Sequence, residues 1–222
     1  PPPPPPPPPP FFFHAQDGIG DFCLSRGLGD VYKRQIIYLC EKYNVKKFIN
    51  IDTNLNRSAN NYSFSKYLFR EYCKFFSQNS KMKFVNVRLT NVYGKNMVKS
   101  SFINLIKESF KKKKLLKLTS CNQKKYFTYI DDVVNHIIKI IKYEPKKDSR
   151  YKDILISHLK KNKLKNVIKI IEKILKKKGR FKIGALKDRN NDNEDVDINY
   201  FKRNKMLMVC KTDILNGLKK TL

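Results

Sequence analysis

Tryptophan is absent from the 222 residues, and beyond residue 35 the chain has one proline, Pro145, and four glycines, Gly94, Gly179, Gly184 and Gly217. With 41% apolar residues it has enough hydrophobic surface to build a core, which excludes wholesale disorder. Five cysteines include no C-x-x-C pair. That argues against a zinc ribbon or a disulfide framework and fits a reduced, cytoplasmic setting. The three histidines, His14, His136 and His158, have no metal-ligand spacing. No run approaches the ~18 apolar residues of a membrane span, so no membrane partner is expected. Acid is also scarce. Nineteen Asp and Glu face 48 Lys and Arg, and the net charge of +29 raises the question of nucleic acid.

What is present is unevenly distributed. Residues 1–35 hold ten of the eleven prolines and four of the eight glycines, and their charges cancel. Pro1–Pro10 favours an extended polyproline rod with no packed core. SRGLGDVYKRQ (25–35) resembles a translated sequencing-adaptor remnant, so residues 1–35 are set aside as a non-native tail. Gly18, Gly20, Gly27 and Gly29 do not form a phosphate-binding loop on this reading, because no hydrophobic strand precedes them.

From Ile36 the pattern alternates between helix and strand. The periodicity predicts a helix tail at 36–45, strands at 46–52 and 83–89, and a helix at 60–77. It predicts a turn at Asn91–Gly94, a helix at 100–111, and short strands at 115–118, 126–130 and 153–156. Asp131 is a candidate cap for the helix that follows it, and Thr212 for a last helix at 213–221. LKNVIKIIEKILKKK (164–178) has one aliphatic stripe and one lysine face. Strands separated by helices predict a largely parallel α/β sheet, with the site at the carboxyl ends of its strands.

Lysine runs occur at 111–114, 160–161 and 176–178, and lysines are spread over every element. Together with the scarcity of Gly and Pro after residue 35, this profile matches an A/T-rich coding sequence whatever the function. Specific nucleic-acid binding is not expected, although a basic nucleic-acid-binding α/β protein is the competing reading. Weak non-specific binding at low salt follows from charge alone.

Tyr62-Ser63-Phe64-Ser65-Lys66 has the spacing Y-x-x-x-K. On a helix, positions i and i+4 share a face. An ammonium beside a phenol stabilises the phenolate, and bringing a tyrosine from about 10 towards 7 takes roughly 4 kcal/mol of differential stabilisation. The spacing also occurs at Tyr38/Lys42, Tyr43/Lys47 and Tyr143/Lys147. Only Tyr62 opens a helix just after a strand that ends in a hydroxyl residue, Thr53, whose side chain can orient a substrate oxygen.

FINIDT (48–53), YSFSK (62–66), VRLTNVYG (87–94) and QKKYFTYIDDVV (123–134) occur in that order. Together they resemble the extended short-chain dehydrogenase/reductases, the NAD-dependent epimerase/dehydratase family acting on nucleotide sugars. The likeness is nearest to the branch of CDP-abequose synthase-type reductases and related deoxysugar epimerases, and GALKDRNND (184–192) is similar to a late motif of that branch. The resemblance implies Thr53, Tyr62 and Lys66 as the catalytic set. Tyr62 would be the acid/base, and Lys66 would bind the nicotinamide ribose. It implies substrate contacts from Asn91, Lys125 and Arg189, with NAD or NADP as cofactor, a nucleotide-sugar substrate, and a homodimer of the intact parent. Lys125 stands where the family usually has arginine and so lacks the bidentate fork. Tyr126 and Cys121-Asn122 also depart from the pattern. Asn54-Leu55 replace the Asp-Glu of sugar 4,6-dehydratases, which disfavours dehydration.

The resemblance also implies a Rossmann-type doubly wound sheet with a small substrate lobe. The expected organisation is a Rossmann part at 36–157, with 94–122 contributing to the lobe, and a C-terminal substrate lobe at 158–222. No G-x-x-G-x-x-G pyrophosphate turn is found, so the expectation is a fragment lacking the adenosine-binding half. Such a fragment is expected to be inactive and poorly soluble as written, with no measurable NAD(P) affinity. A non-catalytic family remnant is the remaining alternative.

Overall fold

The computed structural model describes residues 28–112, 115–143, 150–188, 194 and 196–222. Arg189 and the glycines at 18, 20 and 27 lie outside the described residues. The first helix among the described residues, α1 (Leu28–Lys42), begins eight residues inside the segment set aside as a tail.

Strand β1 (Lys47–Thr53) leads into α2 (Asn61–Phe76), and β2 (Lys83–Leu89) follows. β1 and β2 run parallel and in register from Lys47↔Lys83 to Thr53↔Leu89. β6 (Tyr151–Ser157) adds to β2, and β9 (Leu207–Val209) adds to β6, all parallel. The order β1-β2-β6-β9 is the expected parallel α/β sheet. Among the described residues β1 is an edge strand, paired with β2 alone.

Side chains alternate across this sheet. Phe84 faces α1 and α2 and packs with Ile37, Phe69, Cys73 and Met82. Val85 and Val87 face the other way, against Val133 and Ile140 of α4 (Ile130–Lys142). Helices on both faces explain why β2 is apolar on both sides at its start.

The second layer grows directly from the end of β2. β3 (Asn91–Tyr93) pairs parallel with β5 (Lys124–Tyr129), and β7 (Lys161–Lys163) pairs antiparallel with β5. The turn expected at 91–94 is therefore mostly strand. Thr90 joins the two sheets, and its hydroxyl lies 2.6 Å from that of Thr128. α3 (Phe102–Lys112), α5 (Leu164–Leu175) and α7 (Ile214–Thr221) close a core around Tyr93, Ile106, Phe127, Val167 and Leu218. β4 (Leu116–Lys117) and β8 (Phe181–Lys182) form a short parallel pair, and α6 (Ile198–Arg203) precedes β9.

Two caps differ from expectation. α4 starts at Ile130, so Asp131 and Asp132 sit within its first turn, where their charge meets the positive helix end. Asp132 accepts instead from the backbone N–H of Thr212 at 2.8 Å. Asp213, not Thr212, caps α7, because its carboxylate reaches the N–H of Asn216 at 2.9 Å.

Candidate functional site

The carboxyl end of β1 is built on a buried polar network. Asp52 has a fully buried side chain, and its Oδ2 accepts from Arg70 Nη1 at 2.9 Å and from Asn86 Nδ2 at 3.1 Å. Its Oδ1 accepts from the N–H of Thr53 at 2.7 Å. Asn86 also donates to Asp153 Oδ1 at 2.8 Å, and Asp153 pairs with Arg88. These groups lie on the α2 side of the sheet, and Arg70 belongs to α2. The network therefore fastens the helix to the strand end. Nothing in the hydropathy pattern announced it, because Asp52 and Arg70 are eighteen positions apart.

α2 starts where a capping box fixes it. Asn60 accepts from the N–H of Ser63 at 2.9 Å, and Ser63 Oγ accepts from the N–H of Asn60 at 3.1 Å. Tyr62 and Lys66 thus occupy the first turns of a helix with a fixed origin. Lys66 Nζ lies 5.8 Å from the centre of the Tyr62 ring and donates to the carbonyl of Ile51 at 2.7 Å. That contact brings the ammonium to the strand end, two residues from Thr53. Thr53 Oγ1 accepts from the N–H of Leu55 at 3.2 Å, which fixes the hydroxyl oxygen and leaves its hydrogen as a donor. Thr53, Tyr62 and Lys66 therefore share the carboxyl end of β1. The pairs that start at Tyr38 and Tyr43 lack this placement, being on or just after α1 and largely exposed, and Lys147 of the remaining pair lies outside the described residues.

Asn91 and Lys125 form a second group, beyond the carboxyl end of β2. Both line a cleft of about 320 Å³ whose walls include Phe102, Leu116, Leu118, Phe127 and Leu186. Asn91 Nδ2 donates to the carbonyl of Tyr126 at 3.1 Å and to Glu194 Oε1. Glu194 Oε2 accepts from the N–H of Tyr126 at 2.7 Å, and its carbonyl accepts from Lys161 Nζ at 3.0 Å. Burial raises the Glu194 carboxyl above its ordinary range, and the Tyr126 N–H, Lys125, Asn91 and Lys161 partly offset this. Glu194 went unremarked in the sequence. The one signal was a short acidic stretch, Asp192 to Asp197, in an otherwise basic chain.

A model of the NAD dependent epimerase/dehydratase family matches residues 31–154. The chain is 27% identical over 195 residues to CDP-abequose synthase of Salmonella muenchen, covering 85% of this chain and 66% of the relative. Its fold matches UDP-glucuronic acid 4-epimerase from Bacillus cereus, solved with UDP-glucuronic acid and NAD, at a TM-score of 0.72 and 20% identity. That match covers 84% of this chain and 63% of the epimerase. UDP-glucose 4-epimerase from Thermus thermophilus, solved with NAD, gives 0.71 at 15% identity, covering 87% and 65%. The chain thus spans about two thirds of the length of these relatives.

Proposed function

The chain belongs to the NAD-dependent epimerase/dehydratase family, and from that premise we propose that it supplies the catalytic and substrate-binding portion of an NAD(P)-dependent nucleotide-sugar epimerase or 4-ketosugar reductase. One observation carries the reading: Lys66 stands beside Tyr62 while anchored to the backbone next to Thr53, at the carboxyl end of a parallel strand.

In this reading Tyr62 holds or moves a proton at the sugar hydroxyl oxygen. The Lys66 ammonium favours the phenolate by charge. Thr53 donates to the same sugar oxygen and orients it. Asn91 and Lys125 hold the nucleotide end of the substrate in the cleft, where Lys125 answers phosphate as a point charge. Arg189 stays part of the proposed substrate set through its sequence match. Tyr62, Lys66 and Thr53 fit the nicotinamide-ribose end of NAD(P), which supplies hydride transfer at the sugar carbon when bound. No residue of this sequence is assigned to the pyrophosphate, since it carries no G-x-x-G-x-x-G turn.

The reading includes a homodimer. α1 exposes Tyr32, Ile36 and Leu39 along one stripe, Tyr43 follows just after it, and its neighbour α2 exposes Phe64, Leu68 and Phe75. Two adjacent apolar helix faces suit a matching pair from a second copy.

Two measurements test the proposal. Calorimetry of CDP, UDP and dTDP against this chain should show binding that weakens in Lys125→Met. Turnover of CDP-, UDP- and dTDP-linked hexoses, followed by nicotinamide absorbance and sugar configuration, should occur in an enzyme joining these residues to a glycine-rich turn. If no such sugar is turned over, the reaction class is wrong.

A further inference from the structure

The positive charge is densest away from the candidate catalytic residues. Residues 160–182 carry eleven lysines and arginines against one acid, Glu172, about a third of the net charge in about a tenth of the length. α5 sorts its residues by face. Val167, Ile168 and Ile171 enter the lobe core, while Lys169 and Lys173 stand in solvent. The helix ends at Lys176 in the left-handed conformation (φ 51°), and the chain continues through Lys177, Lys178 and Arg180 into β8. Lys178 approaches Glu172 at 3.8 Å, but its side chain is 92% exposed, so the pair neutralises little.

Two concavities of about 470 and 460 Å³ meet at Lys177 and Lys178. Ser109 and Phe110 of α3 wall the second, and Lys111 and Lys112 extend the charge from the end of that helix. Exposed aliphatic side chains border the loop at the two ends of the β4–β8 pair. The N–H of Leu116 donates to the carbonyl of Arg180, which sets Leu115 (53% exposed) beside the basic loop. Ile183, 44% exposed, follows directly after Lys182.

Clustered lysines repel one another, and exposed aliphatics lose by contact with water. An anionic lipid surface relieves both at once, taking ammonium groups at the headgroups and aliphatic tips at the acyl boundary. We propose that the edge formed by 173–183 and the end of α3 docks on an anionic membrane surface. Nucleic acid fits less well. Single-stranded binding uses exposed aromatic faces, and the aromatics here, Phe110 and Phe181, pack on each other at 5.6 Å in an edge-to-face pair. The sequence expectation of no membrane partner rested on the lack of a spanning run. No helix among the described residues is long and apolar enough to cross a membrane, and docking of this kind needs none. The inference does not depend on the reaction proposed above.

The test is co-sedimentation of the whole chain with phosphatidylcholine vesicles, with and without about 30% phosphatidylglycerol, at roughly 0.1 M salt. Binding should require the anionic lipid. Changing Lys176, Lys177 and Lys178 together to Glu should weaken it by about a hundredfold or more. Changing the exposed Lys42, Lys74 and Lys81 to Glu alters the net charge equally, at another place, and should leave most of the binding. Leu115→Asn with Ile183→Asn removes the aliphatic tips at constant charge, and should weaken lipid binding while leaving retention on duplex DNA unchanged. Circular dichroism checks that each variant is folded. Equal losses in the two lysine triples would reduce the effect to net charge and overturn the proposal. So would an absence of lipid binding, or an asparagine pair with no effect on it.

Discussion

Among the described residues two places bury a carboxylate, and they compensate it differently. Asp52 meets a guanidinium in direct contact, a carboxamide and a backbone N–H. Glu194 meets a carboxamide and a backbone N–H, with Lys125 and Lys161 also favouring its charged form. The guanidinium at Asp52 is nearly as buried as its partner, with 13% of its side chain exposed. The first arrangement locks α2 to β1 under Tyr62, Lys66 and Thr53. The second orients Asn91 beside Lys125 at the wall of a cleft and leaves its carboxyl readier to take a proton. A site that positions a proton donor gains from rigidity.

The sharpest way to break the comparison is at the rigid end. Tyr62→Phe keeps the ring and removes the proton. In the catalytically complete enzyme it should cut turnover by about 10²–10⁴-fold with nucleotide binding unchanged. Lys66→Met should weaken both turnover and cofactor affinity. Turnover within tenfold of wild type for Tyr62→Phe would falsify the assignment of the proton donor.

The lock itself is tested by Arg70→Leu, which leaves the buried Asp52 charge without its ion partner. The expected loss is about 3–5 kcal/mol of unfolding free energy, measured by urea denaturation. Adding Asp52→Asn to that variant should recover part of the loss, because the stranded charge goes. If Arg70→Leu costs no more than a surface substitution, the pair does not hold α2 in place.

A smaller effect is expected where α7 closes the lobe containing the cleft. A Cβ at Gly217 would lie 2.0 Å from the Tyr93 hydroxyl, and Tyr93 is among the most buried side chains. Gly217→Ala should therefore cost roughly 1–3 kcal/mol through displacement of Tyr93. The double variant with Tyr93→Phe should lose less, because the clashing oxygen is removed. Equal losses would place the strain elsewhere.

The parallel sheet and the helices at 61–76 and 164–175 were legible because apolar periodicity and Gly/Pro scarcity mark them directly. FINID and KFVNVRL announced strands, whereas the Asn60–Ser63 capping box emerged only in the structure. Asn91–Tyr93 was not legible, since Gly94 and Asn91 carry turn chemistry and only pairing with β5 makes the segment a strand. β7, β8 and β9 are two or three residues long and owe their existence to distant partners. Thr53, Tyr62 and Lys66 could be selected by local order along the chain. Asp52–Arg70 and Glu194–Asn91 could not, because each joins elements that meet only after folding.

The smallest expected effect is a pH slope at Glu194. Burial raises its folded carboxyl above the unfolded value, so the folded state binds the proton more tightly than the unfolded chain does. The stabilisation this supplies is full below about 4.5 and is lost as pH rises through the folded value. Glu194→Gln removes the titration while keeping one oxygen for the donors around it. The stability of wild type minus that of the variant should therefore fall as pH rises from about 4 to 7. Urea denaturation at several pH values measures the difference. A Glu194 difference that is flat or rises with pH would mean that the lysines and N–H groups outweigh burial, which would remove the contrast between the two sites.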